Sequence, residues 1–254
     1  MKITAYNGSH DGRKSVTNKM VQEILAGAIE AGAETQNFFL AEKNINHCRA
    51  CSHCLSVKLN KCIIEDDMEE MLTSFKQSDI VIYATPLYFD NVSGMMKMFF
   101  DRSLSIVAPY VGLDENGEYR HIDKPGFSDS FVKVPKLVVV SNAAFPEQSQ
   151  FQVISHLFKR MARNIHTEVI AEIYRGEGPL LRELVPELSH VVLDYKKLLR
   201  KSGREIVELS KLSEETKEEL QKALIPHDAY VKGWNASIDN EWNRSDMKIN
   251  ESIK

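Results

Sequence analysis

The chain has 254 residues, 43% of them hydrophobic and 27% charged, ordinary values for a globular protein and enough length to bury a sizeable core. A net charge of −4 supplies no bulk basic field for nucleic acid or an anionic membrane, and no apolar run approaches the roughly 20 residues that span a bilayer. The opening MKITAYNGS lacks the apolar stretch of a secretory leader, so the expected compartment is the cytoplasm, where thiols stay reduced.

In chain order, residues 2–6 predict a short strand. Val16, Met20, Val21, Ile24, Leu25 and Ala28 recur at helical spacing and predict a helix over 16–31, which Gly32 stops. A second strand is expected at 35–40, and a helix with an acidic first turn at 66–76. Residues 80–84 are apolar throughout, as a strand buried on both faces should be. A helix at 94–103, a buried strand at 136–140, a helix at 147–164 and a strand at 167–174 follow. Five strands with intervening helices predict an α/β fold with a doubly wound parallel sheet. The flavodoxin-like order 2-1-3-4-5 is the expectation, and the other doubly wound order its rival.

Two stretches exceed this minimal pattern. Residues 109–135 read as an insertion, with Asn116-Gly117 as the tight primed turn of a hairpin. Residues 180–254 read as a helical extension, with helices near 187–201 and 213–224 and a polar tail carrying Trp234 and Trp242. No linker-like segment interrupts the chain, so residues 1–254 are taken as one domain.

Open α/β sheets bind ligands beyond the carboxyl ends of their strands. Asn7 to Asn18 leaves strand one and enters helix one. The hydroxyls of Ser9, Ser15 and Thr17, the Asn18 amide and the free N–H groups of a helix start suit a terminal phosphate such as that of FMN. The loop matches neither the Walker pattern nor G-x-G-x-x-G, and its bland reading is an N-cap with a polar turn. Ala84 to Gly94 sets Pro86, Leu87, Tyr88 and Phe89 at a strand mouth, where aromatic and backbone groups can wall a flat ring; the alternative puts both aromatics in the core. Ser141 to Glu147, with Ala143 and Phe145, allows close backbone approach to a ligand, or is a plain strand-to-helix turn.

All four cysteines fall between residues 48 and 62. Cys48, Cys51 and Cys54 follow C-x2-C-x2-C, and Cys62 comes after seven further residues. Three ligands at that spacing can converge on one [4Fe–4S] cluster, with a fourth from a later turn. Zinc is the other metal reading, although structural zinc sites usually pair two knuckles. Free thiols or a redox disulfide form the metal-free reading. The loop leaves strand two on the side where strands end, within expected reach of the flavin edge, in the same chain or across a subunit boundary.

With these motifs the chain resembles the iron–sulfur flavoproteins and related proteins of the NADPH-dependent FMN reductase group. The resemblance rests on Gly8-Ser9, the cysteine run followed by Glu65-Asp66-Asp67-Met68, and Thr85 to Phe89. It continues through Ser93-Gly94, Lys97, Phe100-Asp101-Arg102 and Phe145-Pro146-Glu147, and so covers residues 1–175. It implies FMN at the three loops and reduction by a nicotinamide cofactor. It also implies a homodimer or homotetramer whose interface borders the flavin and, where a cluster is present, single-electron transfer. His10-Asp11 stand where the family often has Pro-Arg. The expected activity is that of an NAD(P)H-dependent, FMN-containing oxidoreductase delivering electrons to a flavin, quinone or metal acceptor. The flavin carries the chemistry, so no catalytic side chain is assigned. The alternatives are a flavodoxin-like electron carrier without turnover and a thiol or metal redox sensor. The apolar run 95–100, too rich for one helix face, points to this helix or the insertion as an interface between copies; the alternative is that the C-terminal helices cover it within one subunit.

Overall fold

The computed structural model describes residues 1–122 and 134–252, with side chains described to residue 241. β1 (Lys2–Asn7), α1 (Val16–Glu30) and β2 (Glu34–Phe39) open the chain. The cysteine loop carries α2 (His53–Ser56) and leads to α3 (Met68–Gln77), β3 (Ile80–Pro86) and α4 (Gly94–Arg102). A hairpin of β4 (Tyr110–Leu113) and β5 (Tyr119–Ile122) precedes β6 (Lys136–Asn142), α5 (Gln152–Asn164) and β7 (Val169–Arg175). α6 (Ser189–Leu209), α7 (Glu214–Gln221) and α8 (His227–Ser252) follow.

One five-stranded parallel sheet runs β2-β1-β3-β6-β7, the expected 2-1-3-4-5 order once the separate hairpin is set aside. Strand alternation sends successive side chains into two cores. Ile3, Ala5, Ile82 and Val140 pack with α1 and α6, whereas Tyr6, Val81, Tyr83 and Val139 pack with α3, α4 and α5. β3 sits in mid-sheet and is buried at every position.

α6 was expected as an addition, but it forms a layer of this sandwich: Val192, Tyr195, Leu199 and Ile206 are buried in the α1 core. The two helices cross at glycines. A Cβ on Gly27 would lie 1.9 Å from the Arg200 carbonyl oxygen, and one on Gly203 would lie 2.0 Å from that of Ile24. The expected polar tail is also helical, as α8, and Tyr230 anchors it by donating its hydroxyl to the Ala144 carbonyl at 2.6 Å. Its apolar stripe of Tyr230, Trp234 and Ile238 is one residue wide, too narrow to register as a helical face.

The hairpin forms as expected, but its turn is wider than a primed two-residue turn. That turn needs positive φ at both Asn116 and Gly117, and only Gly117 has it, at 72°. Leu113 pairs with Tyr119, and the Asp114 carboxylate closes the loop by accepting from the N–H groups of Asn116 at 2.9 Å and Glu118 at 3.0 Å. Residues 123–133 of the insertion lie outside the described residues. The apolar run of α4 is largely satisfied within the chain: Met96 and Phe99 are buried, and Met95, Met98 and Phe100 pack against the same core. Among the described residues no helix is long and apolar enough to cross a membrane.

Candidate functional site

Three loops meet at the carboxyl edge of the sheet because a few polar groups tie them together. Gly8 donates its N–H to the Ala84 carbonyl at 2.8 Å. A Cβ on Gly8 would meet Ser93 Oγ at 2.9 Å, so only glycine allows this approach. Ser93 caps α4, accepting from the Met96 N–H at 3.2 Å, while its hydroxyl donates to the Gly8 carbonyl at 2.6 Å and its N–H donates to Thr85 Oγ1 at 2.9 Å. Asn142 is the second knot. Its carbonyl accepts from the Leu87 N–H at 2.8 Å, and its Nδ2 donates to Thr17 Oγ1 at 2.8 Å. The end of β6 thus holds both the loop after β3 and the start of α1. Ser93 entered the sequence reading only as a marker of resemblance, and Asn142 carried no signal there.

The four residues expected at a phosphate share one loop but are engaged differently. Ser9 is buried, with its N–H on Asn7 Oδ1 at 3.1 Å. Ser15 is the N-cap of α1, accepting from the Asn18 N–H at 3.0 Å and donating to the Gly12 carbonyl at 2.7 Å. Asn18 spends its side chain on the Arg13 carbonyl at 2.8 Å and on Asn37 Nδ2 at 3.0 Å. Thr17 accepts from Asn142 and keeps its own hydroxyl proton. Two buried donors at the ends of β1 and β6, with β3 between them, Asn7 Nδ2 and Ser141 Oγ, have no hydrogen-bond partner among the described residues. Buried polar atoms left this way are uncommon and call for a partner. Arg13 stands at the rim, forked onto Glu42 with both contacts at 2.8 Å.

Neither aromatic of the β3 loop is core. Tyr88 is 50% exposed and Phe89 105%, and Phe145 across the mouth is 71% exposed. Phe89 and Asp90 both have positive φ, 49° and 56°, inside a turn closed by two 3.0 Å bonds between Tyr88 and Asn91. Left-handed backbone at a non-glycine residue costs about 1–2 kcal/mol, and such strain collects at functional loops. Pro86 ends β3, and Ala143 is buried with its N–H on the Arg175 carbonyl at 2.9 Å.

The four cysteines line one cavity of about 140 Å³, which Arg102 and Leu104 also border. Non-glycine residues at positive φ, Ala50 and Ser52, separate successive cysteines and turn the backbone between them. The Ala50 N–H points at Cys48 Sγ at 3.5 Å. Burial and the nearby Cys62, Cys48 and Cys51 push the Cys54 thiol up. Among the described residues no group of three His, Cys, Asp or Glu side chains is placed to hold a metal ion. The cavity lies at the C-terminal end of α4, whereas Ser93 caps the other end beside Gly8 and Thr85. Nine residues of helix, about 13 Å, therefore separate the cysteine cavity from the strand mouth.

This geometry has relatives. An iron–sulfur flavoprotein of Methanocaldococcus jannaschii is 38% identical over 103 residues, 41% of this chain and 52% of that protein. This chain spans about half the length of the curated relatives it matches. A solved FMN-dependent NADH-azoreductase of Bacillus anthracis, in complex with FMN, superposes with a TM-score of 0.57 at 15% identity, covering 82% of this chain and 99% of that one. An NAD(P)H:quinone oxidoreductase of Methanothermobacter marburgensis does so with a TM-score of 0.56 at 15% identity, covering 81% and 96%. At such identity these two likenesses establish the fold. The family model described as NADPH-dependent FMN reductase matches residues 1–127, which is half of the chain and contains β1, β3 and the whole cysteine loop, and on that match the chain belongs to this family.

Proposed function

We propose that the chain is an FMN-dependent NAD(P)H oxidoreductase of the cytoplasm, working as a homodimer or homotetramer, with a [4Fe–4S] cluster on Cys48, Cys51, Cys54 and Cys62. The observation that carries the flavin reading is two unpartnered buried donors, Asn7 Nδ2 at the end of β1 and Ser141 Oγ at the end of β6, on the sheet edge where the exposed aromatics also stand. Polar groups that lack partners in the protein alone fit a ligand rich in acceptors. The Ser9 to Thr17 loop, with the N–H groups at the start of α1, would hold the phosphate. Pro86 to Phe89, Ala143 and Phe145 would frame the ring and exclude water from it. Bound FMN would supply two-electron uptake from a nicotinamide and one-electron release. Tyr88, Phe89 and Phe145 offer the apolar faces on which a nicotinamide can stack. Four thiols lining a single cavity match in number the four ligands of a [4Fe–4S] cluster. The FMN–NAD(P)H relatives and the iron–sulfur flavoproteins of similar sequence support the same assignment.

The test is one anaerobic preparation of the whole chain, assayed by visible spectrum, iron and acid-labile sulfide content, and NADH or NADPH oxidation with added quinone or free flavin. Bound FMN with turnover of either nicotinamide supports the enzyme. A flavin-loaded protein that oxidises neither nicotinamide is a carrier instead. Failure to bind added FMN removes the reading altogether.

A further inference from the structure

We propose that Arg102 is a positioning residue for the cysteine site: Asp66 fixes its guanidinium at the border of the cavity lined by the four thiols, with the Nε–H left unpartnered, which raises the one-electron potential of the cluster held there. The inference rests on the [4Fe–4S] reading above.

The Arg102 and Asp66 side chains are 1% and 0% exposed. Asp66 takes both outer nitrogens, with Nη1 on Oδ2 at 2.6 Å and Nη2 on Oδ1 at 3.0 Å. This bidentate fork fixes the plane of the guanidinium. The same nitrogens reach the carbonyls of Asn46 at 2.8 Å and Ile64 at 3.5 Å, which flank the cysteine run on either side. Asp66 also accepts from the N–H groups of Asn46 at 2.9 Å and Met68 at 3.2 Å. One ion pair thus pins both ends of the loop.

The fifth donor stands apart. Arg102 Nε is buried and has no partner among the described residues. The guanidinium borders the cavity shared by all four thiols. Stability alone does not account for this arrangement, because the desolvation of a buried ion pair offsets much of its attraction. A donor fixed beside a ligating sulfur does have a consequence. Reduction adds negative charge to a cluster, and hydrogen bonds and positive charge near its sulfurs stabilise the reduced state. Arg102 lines the cavity of the thiols and Asp66 does not, so of this ion pair the cation is the nearer charge to the cysteines.

Three variants of the full chain test this, each prepared anaerobically with FMN and reconstituted with iron and sulfide. Arg102→Lys keeps a cation for Asp66 and removes the Nε–H. Asp66→Asn with Arg102→Gln removes both charges. Asp66→Asn alone leaves the guanidinium without its counter-charge. The readouts are the circular dichroism spectrum, iron and sulfide per chain, the cluster potential by EPR-monitored titration and the flavin potential in the same sample. The first two variants should shift the cluster's reduction equilibrium at least tenfold toward the oxidised form, about 59 mV for a one-electron couple. Asp66→Asn alone should shift it the opposite way, and the flavin potential should stay put in all three. If one variant fails to fold, those remaining decide the sign. Retained clusters with unchanged potentials overturn the proposal. So does a loss of cluster content with no change in the potential of what remains, because Arg102 is then a clamp only. A wild-type chain that binds FMN but takes up neither iron nor sulfide overturns the cluster reading, and this inference with it.

Discussion

Replacing Gly203 by Ala tests whether α6 is truly a layer of the sandwich. The new Cβ would sit 2.0 Å from the Ile24 carbonyl oxygen and 2.9 Å from the Ala28 nitrogen. Both atoms belong to the α1 backbone, so no side chain can swing aside. Restoring ordinary contact of about 3.5 Å requires the helices to part by roughly 1.5 Å, which loosens Ile24, Leu199 and Ile206 together. Overpacking of this kind costs about 1–3 kcal/mol, and more where backbone is the obstacle. Helix propensity works in the other direction and favours Ala over Gly by about 1 kcal/mol. The expected net loss is about 2 kcal/mol, which lowers the urea midpoint by roughly 0.5–1 M. Gly27→Ala, whose Cβ would lie 1.9 Å from the Arg200 carbonyl oxygen, should behave alike. The double variant should cost less than the sum, because the crossing has to open only once. The measurement is urea unfolding followed by circular dichroism. A Gly203→Ala midpoint equal to or above wild type would mean that propensity alone governs the site and that α6 does not pack on α1 as described.

Other outcomes follow from the same geometry. Burial alone would raise the Asp66 carboxyl, but hydrogen bonds from Arg102, Asn46 and Met68 hold it down at about 2 against an ordinary 3.8. A depressed carboxylate contributes stability above its unfolded value and loses it as pH falls, so about 2 kcal/mol should disappear between pH 4 and pH 2, and Asp66→Asn should flatten that limb of an acid titration. Thr17→Val should weaken FMN binding by about 1–3 kcal/mol without changing circular dichroism, and an unaltered affinity would place the phosphate elsewhere. Phe89→Gly removes left-handed strain from a side chain that touches nothing in its own chain, so stability should hold or rise by about 1 kcal/mol while the KM for NAD(P)H climbs; an unchanged KM would reduce Phe89 to a turn residue. Cys54→Ser should abolish iron uptake and leave FMN bound, because the phosphate loop lies at the other end of α4; loss of both together would show that the two sites depend on one another.

Elements governed by local periodicity were legible in the sequence. β3 is apolar at successive positions because both of its faces are covered, and its place in mid-sheet follows from that. The cysteine loop was legible from spacing alone. Features that depend on partners distant in the chain were not. Asn142 looks like one more polar residue at a strand end until Thr17, 125 residues earlier, accepts its hydrogen bond. Asp101-Arg102 served only as a marker of resemblance, because Asp66, the partner of Arg102, lies 36 residues away. The role of α6 depends on Gly27 and Gly203 meeting, and neither glycine signals that by itself. The hairpin turn failed for a local reason: the carboxylate of Asp114 outcompeted the Asn-Gly preference by capping two backbone N–H groups at once.

α4 stands between the strand mouth and the cysteine cavity as a spacer of nine residues. A hydride moves only between atoms in contact, whereas an electron can cross a helix length through packed protein. On the proposed reading, a nicotinamide must therefore enter the strand mouth, while a one-electron acceptor needs only to touch the cysteine face. Two molecules can then dock at once rather than take turns at one opening. The steady-state signature is a family of intersecting double-reciprocal lines, as for a ternary complex, and not the parallel lines of substrates that alternate in one pocket.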